Sequence, residues 1–371
     1  MYCQYIQVSC LIVQDSELIN LMLNLGTLLT LSVLSSMVAS QRTQYSEIVN
    51  LVNESHISWT AALAPDINYD DPNILQGRLG TFVNLNNAAL QQEEANEQSE
   101  ADPVTPDSTT KRRPRQLQTV SVYPKSLDLR ISYPNCSSIA LIRNQKNCGS
   151  CWAFATMNSL SDRYCIIKSS PTNLQQKFFS VEDSLECCAA CNGGSGNGCR
   201  GGIPYTAVKY AVDNGIVSGE LRSFSPFCKP YYLDYVNDST VTAPKCNPNC
   251  TNPNGYPLTY ANDKFKPTGI VLGKGEQQMI AALNNGGSIS AAYNVFEDFY
   301  AYKSGVYFYK TGKLLGGHAV RIIGYGVENG VKYWLCANSW GIYWGEKGFF
   351  KIRRGTNECG IEANYFTSAS F

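Results

Sequence analysis

Apolar positions recur at two different periods along this chain, and the change of period divides it. Ile48, Val49, Val52 and Ile57 make a helical stripe ahead of Trp59, which predicts a small folded unit over residues 44–90. Ala153, Met157, Leu160 and Tyr164 recur at the same spacing, so a helix is expected to begin near Cys151. The later chain is strand-like. Ala319 to Gly326 and Lys332 to Ala337 are apolar or aromatic runs separated by Glu328-Asn329-Gly330, and Asn-Gly is a strong hairpin signal because both residues tolerate positive φ. Phe349 to Ile352 adds a further strand. A helical half followed by a strand-rich half predicts an α+β unit with a cleft between two subdomains.

Two stretches lie outside that pattern. Leu21 to Ser40 is an apolar run ending in small residues, with Val38 and Ser40, or Met37 and Ala39, placed for signal peptidase; residues 1–40 are therefore expected to be a signal peptide region. A membrane anchor is the competing reading, against which stand the marginal length and the polar Asn24 and Thr30. Residues 1–41 hold no Lys or Arg, and Asp15 and Glu17 precede the run, so Met22 is a second candidate start. Gln91 to Thr110 carries six acids, no bases and two prolines, followed by Lys-Arg-Arg-Pro-Arg at 111–115. That composition predicts an exposed linker with a processing site. The expected division is a signal region over 1–40, a propeptide and linker over 41–122, and a globular domain over 123–371.

Charge sharpens this division. The chain of 371 residues has a formal net charge of +0, but residues 1–122 carry 6 Lys+Arg against 13 Asp+Glu and residues 123–371 carry 24 against 17. An acidic leader faces a basic body, as expected when one part docks on the other. A surplus of seven spread over the body is too dilute for a nucleic-acid site, and no aromatic-basic interleaving accompanies it.

None of the 15 cysteines lies between residues 11 and 135, and thirteen follow. So many imply disulfides in an oxidising compartment. Cys188 and Cys191 have the spacing of a zinc ligand pair, but no histidine lies nearby and the other spacings fit no finger or ribbon. No metal or cofactor is expected.

Candidate chemistry centres on one thiol. Cys151 falls at a predicted helix start, where N–H groups favour a thiolate, as does a neighbouring imidazolium. Only His56 and His318 are available, and His56 lies in the leader. An imidazole base in the body must therefore be His318, immediately before the predicted strand Ala319 to Gly326. Asn338, at the end of the next strand, is placed to orient its ring. The bland alternatives are a buried inert thiol, a core histidine, turn amides at Asn338 and Gln145, and core tryptophans at Trp340 and Trp344.

The segment Gln145-Lys146-Asn147-Cys148-Gly149-Ser150-Cys151-Trp152 resembles the nucleophile segment of the papain family of cysteine proteases. Gly316-Gly317-His318-Ala319 and Asn338-Ser339-Trp340 resemble its base and orienting segments, in the same order. From about Tyr45 onward the chain is similar to the cathepsin B group: Cys187-Cys188, Cys199-Arg200-Gly201-Gly202, Lys303-Ser304-Gly305-Val306-Tyr307, Cys359-Gly360-Ile361-Glu362, and Trp59 and Gly80-Thr81-Phe82 in the leader.

The resemblance implies a papain-like fold, with a helical left subdomain, a β-barrel-like right subdomain and the active-site cleft between them. It implies Cys151 as nucleophile, His318 as proton shuttle, Asn338 as its orienting partner, and Gln145 with the Cys151 N–H as oxyanion hole. Gly201, Gly202, Ile203, Ala319, Trp340 and Asn364 are the implied substrate-contacting residues. Ile203 and Asn364 stand where the group has a pocket tyrosine and a carboxylate, so apolar residues rather than arginine are expected two positions before the scissile bond. The implied bridges are Cys136 to Cys165, Cys148 to Cys199, Cys187 to Cys246, Cys188 to Cys191 and Cys228 to Cys250, with Cys336 and Cys359 as buried free thiols.

In the group, paired histidines on a loop confer dipeptidyl carboxypeptidase activity. The segment Cys228 to Cys250 has no histidine, only Lys229 and Lys245 as cations, and Asp234 and Asp238 as opposing charges. The implied activity is that of an endopeptidase made as an inactive precursor, with weak or absent exopeptidase activity. Its expected partners are protein and peptide substrates and its own propeptide, which crosses the cleft in reverse and leaves on acidification. The mature form is expected to be a monomer without stable membrane insertion or nucleic-acid partner, in an acidic lysosome-like vacuole or outside the cell. Sequons at Asn53, Asn135, Asn237 and Asn249 fit that route. The alternative is a silent homologue that acts as a secreted binding protein.

Overall fold

A computed structural model describes residues 41–82, 123–170, 172–220, 227–232, 242–252 and 255–371. The signal region, the linker with its basic run, and Asp234, Asp238 and Asn237 lie outside them. The first apolar stripe folds as a helix over residues 41–54 (α1), burying Ile48 and Val52 together with Tyr45. The chain then enters strand β1 (Trp59–Ala61).

In the body, the predicted helix is α2 (Cys151–Lys168). Its first turn is closed by the Ser150 carbonyl, which accepts from the N–H groups of Ala153 and Phe154 at 2.9 and 3.0 Å, and Lys168 in its last turn complements the helix dipole. The periodicity showed one apolar face. In the structure every residue from Cys151 to Cys165 except Asn158 is buried, because α2 is central: α3 (Val181–Cys187) and α4 (Pro204–Asn214) pack on one side and the sheet on the other. Polar residues of α2 are consequently paired inside the protein. Asp162 meets Arg321 at 2.9 Å and accepts from the Ser288 hydroxyl, while Arg321 also donates to the carbonyls of Ser138, Ile139 and Leu141. Removing either partner of such a buried pair costs about 3–5 kcal/mol.

The strand-rich half contains β2 (Leu127–Asp128), β3 (Gly269–Gly273), the helix α5 (Glu276–Gly286), β4 (Ile289–Phe296), β5 (Tyr302–Tyr307), β6 (Leu314–Glu328), β7 (Val331–Ala337), β8 (Phe349–Arg353) and β9 (Phe366–Ser370). The hairpin falls where Asn-Gly predicted it: Glu328 pairs with Val331, and Asn329 and Gly330 take φ of 49° and 81°. The strand order is β1-β5-β8-β7-β6-β4-β9-β3, with β2 on β6. This corrects the barrel-like expectation. The path is an open sheet that begins at the leader's β1 and ends at β3, and every pairing is antiparallel except β5 with β8.

A second correction concerns His318. It lies inside β6, opposite Tyr293 of β4, and not ahead of the strand. Pairing with β4 fixes its backbone, β7 joins the other side of β6 from Arg321 onward, and the Asp162–Arg321 pair, three residues further along β6, ties that strand to α2.

Five disulfides join Cys136 to Cys165, Cys148 to Cys199, Cys187 to Cys246, Cys188 to Cys191 and Cys228 to Cys250, the pairings that the resemblance implied. Among the described residues Cys151, Cys336 and Cys359 are free; Cys336 is buried and Cys359 only partly so. No group of three or more metal-ligating side chains occurs among the described residues, and no helix among them is long and apolar enough to cross a membrane.

Candidate active site

The start of α2, the middle of β6 and the end of β7 converge. Asn338 follows β7 directly, and the His318 Nε2–H donates to its Oδ1 at 2.8 Å. That bond leaves the other ring nitrogen, Nδ1, as an acceptor, and among the described residues Nδ1 has no hydrogen-bond partner. Asn338 Oδ1 is itself held by the Ser339 N–H at 2.8 Å. Trp340 lies beside the imidazole with ring centroids 4.8 Å apart and is fully buried, so water is kept from the His318–Asn338 bond.

Gln145 is tied to the same loop. Its Oε1 accepts from the Ser339 hydroxyl at 2.6 Å, and its Nε2 donates to the Cys148 carbonyl at 2.8 Å. Tyr231 supports the segment from below, with its hydroxyl on the Gln145 carbonyl at 3.0 Å and 3.1 Å from Ser150 Oγ. Sequence reasoning missed both Ser339 and Tyr231. Ser339 sits inside the quoted Asn-Ser-Trp segment, and Tyr231 stands three residues after Cys228, but neither has a signal until the loops meet.

The leader fills this site. Its backbone runs parallel to the Gly202 segment: the Gly202 N–H donates to the Gly80 carbonyl at 2.6 Å, and the Phe82 N–H to the Gly202 carbonyl at 3.1 Å. On the other wall, the N–H groups of Gly80 and Thr81 both donate to the Gly317 carbonyl at 3.1 Å. The Thr81 hydroxyl sits 3.2 Å from Cys151 Sγ, and the Arg78 carbonyl takes the second hydrogen of Gln145 Nε2 at 2.9 Å. Gly80 is required by space, since a Cβ there would stand 1.9 Å from the Gly149 carbonyl oxygen; at Gly202 it would stand 2.5 Å from the Trp152 indole.

This cover reverses the expected thiol electrostatics. Burial raises the Cys151 pKa, against the opposing pull of Thr81 and of the N–H groups of Ala319, Gly80 and Trp152. Burial also lowers the His318 pKa to about 4, although the bond to Asn338 acts the other way. Both groups are therefore neutral in this state. The helix start expected to favour a thiolate is present, but desolvation outweighs it.

Phe82 packs against Ile203, Tyr205 and Tyr365, an apolar pocket that Ile270 and Leu272 extend. Asn364, beside Tyr365, is buried and donates its Nδ2 to the Ala292 carbonyl at 3.0 Å. The Lys274 ammonium reaches the Tyr365 hydroxyl at 3.1 Å. Gly201, with φ of 110°, passes next to the Phe82 ring. Of the two expected loop cations, Lys229 is buried and bound to Glu186 at 2.7 Å, so it does not face the cleft as a free charge.

Away from the cleft the leader is anchored by β1, whose Trp59 and Thr60 oppose Gly305 and Ser304 of β5. Trp59 is 2% exposed, donates its indole N–H to the Phe308 carbonyl at 3.1 Å and packs on Tyr307 with centroids 5.0 Å apart.

A family model described as papain family cysteine protease matches residues 123–369. Cathepsin B-like cysteine proteinase 4 of Caenorhabditis elegans is 44% identical over 273 residues, covering 70% of this chain and 78% of that protein. The gut-specific cysteine proteinase of the same organism is 42% identical over 256 residues, covering 68% and 75%. Among solved structures, proCathepsin B S9 from Trypanosoma congolense has a TM-score of 0.65 at 29% identity over 87% of this chain and 96% of that one. The fold is also that of digestive procathepsin L 3 of Tenebrio molitor, with a TM-score of 0.60 at 19% identity over 91% of each chain. The chain therefore belongs to the papain family of cysteine proteases, as a cathepsin B-like peptidase folded together with its leader in a procathepsin-like form.

Proposed function

We propose that the body, residues 123–371, is an endopeptidase that the leader holds inactive by occupying each reacting position. The observation that carries this reading is the pair of contacts at the centre of the cleft, Thr81 on the Cys151 thiol and the Arg78 carbonyl on Gln145 Nε2. Once the leader departs, water returns and the penalty on charge falls. Cys151 then transfers its proton to His318 Nδ1, the ring nitrogen left free by the Asn338 bond. The thiolate attacks the peptide carbonyl carbon, and the resulting oxyanion is held by Gln145 Nε2 and the Cys151 N–H. His318 gives its proton to the departing amine as the C–N bond breaks, leaving a thioester on Cys151. Water adds to the thioester, losing a proton to His318, and the acid product leaves with the thiol restored.

Residues before the scissile bond pair with Gly201 and Gly202 as an added strand. The second of them enters the pocket where Phe82 now lies. Its apolar lining, the Asn364 amide and the Lys274 ammonium favour an apolar side chain over arginine, because a buried guanidinium without a countercharge is penalised. The burial of Lys229 and the lack of loop histidines favour internal cleavage over dipeptide release. The oxidised framework and the apolar run before residue 41 point to the secretory route and an acidic or extracellular destination. The silent-homologue alternative gains no support from a site in which Cys151, His318, Asn338 and Gln145 are assembled.

The test is to treat the activated protein with a thiol-directed epoxide and locate the adduct by mass spectrometry. Label on Cys151, together with loss of peptide hydrolysis, is the expected result. A protein labelled elsewhere, or still active when labelled on Cys151, would sink the reading.

A further inference from the structure

Along the cleft the leader touches the body in the order of its own sequence. Phe82 fills the apolar pocket, Thr81 meets the nucleophilic thiol, and the Arg78 carbonyl takes the hydrogen of Gln145 Nε2. Earlier still, the Leu75 carbonyl accepts a hydrogen bond from the Tyr300 hydroxyl. The leader therefore meets Tyr300 before it reaches Cys151, and the apolar pocket after it. The Tyr300 ring lies on Trp340 with centroids 4.5 Å apart and planes within 1°, and Trp340 adjoins His318. Its backbone is held as well, since its carbonyl accepts from the Trp344 indole N–H at 3.0 Å. The phenol is a rigid donor, fully buried in the precursor, and departure of Leu75 removes its acceptor.

We propose that Tyr300 determines how substrate sits beyond the scissile bond. Its hydroxyl donates to a backbone carbonyl of the residues on the C-terminal side, replacing the leader's Leu75 carbonyl. The inference rests on the peptidase reading given above, in which the residues before the bond lie along Gly202. A donor held in place beside the cleft gains from the acceptor that a bound substrate sets against it in exchange for water, and a peptide carbonyl is present whatever the side chain. A stacked aromatic ring also loses little freedom on binding. The substrate class that follows is a polypeptide continuing past the cleaved bond, in preference to a short amide with a small leaving group.

Tyr300→Phe keeps the ring and its stack on Trp340 while deleting the donor. The assay uses two substrates identical up to the scissile bond, one ending in an aminocoumarin amide and the other continuing for four residues. The ratio of kcat/KM for the extended peptide to that for the amide is expected to fall about fivefold in the variant. A structural defect would lower both substrates alike, and an unchanged ratio, with or without such a defect, overturns the inference. A wild-type enzyme that cuts neither substrate while Cys151 stays unlabelled would overturn the peptidase reading and this inference with it.

Discussion

Acidification should release the leader partly through His318. In the docked state the imidazole is buried and its pKa is lowered from 6.5 to about 4. In a leader-free cleft with Cys151 replaced by alanine, no thiolate is present and the ring titrates near its ordinary value. Between those two values the open form holds a proton that the docked form lacks, so docking strength present above pH 6.5 is lost as the pH falls towards 4. The linkage amounts to about 1.4 kcal/mol per pH unit, hence about 3 kcal/mol or roughly 300-fold in the leader's Kd across the window. The experiment uses a Cys151→Ala precursor cleaved within the linker and measures leader dissociation from pH 7 to pH 3.5. A further His318→Phe change should flatten the profile between 6.5 and 4. Equal Kd values at pH 6.5 and 4.5, or a slope that survives loss of the ring, would refute the reasoning.

Trp59→Ala in the leader removes a buried indole, a loss of about 3–5 kcal/mol, so epoxide labelling of Cys151 in the intact precursor should accelerate by roughly a hundredfold or more; an unchanged rate would show that β1 does not hold the leader down. In a peptide panel, Phe-Arg and Leu-Arg substrates should be cleaved faster than Arg-Arg ones, and equal rates would mean that another group in the pocket of Ile203 and Tyr365 neutralises the guanidinium. Peptides with free and amidated C-termini should be cut at similar rates, whereas strong preference for the free acid with dipeptide release would expose a cation that recognises the carboxylate. The Glu182 carboxyl is raised above its ordinary 4.5 chiefly by burial, against the Tyr232 N–H bond, with Glu186 adding to the rise. Its stability contribution is therefore present in full below pH 4.5 and lost as pH rises through the folded value. Glu182→Gln should lose less Tm than wild type between pH 5 and pH 8, and identical losses would place the alkaline sensitivity elsewhere.

Much of the site could be read from the sequence because its signals are local. Gln145 and Cys151 share one segment, Asn338 and Trp340 another, and with His56 in the leader only His318 remained as an imidazole in the body. The helix from Cys151 and the Asn-Gly hairpin follow from periodicity and from which residues tolerate positive φ. Other features depend on which surfaces meet. The open strand order, with β1 added to β5, joins segments more than 240 residues apart. Tyr300, Tyr231 and Ser339 acquire their places only when loops distant in sequence converge. The protonation state of the centre is the clearest case. The sequence by itself determined that a thiol would stand at a helix start with an imidazole available to it, which favours the ion pair. Tertiary structure decided that both groups are neutral in the precursor, because desolvation depends on every atom that covers them, and part of that cover is the leader lying across the cleft.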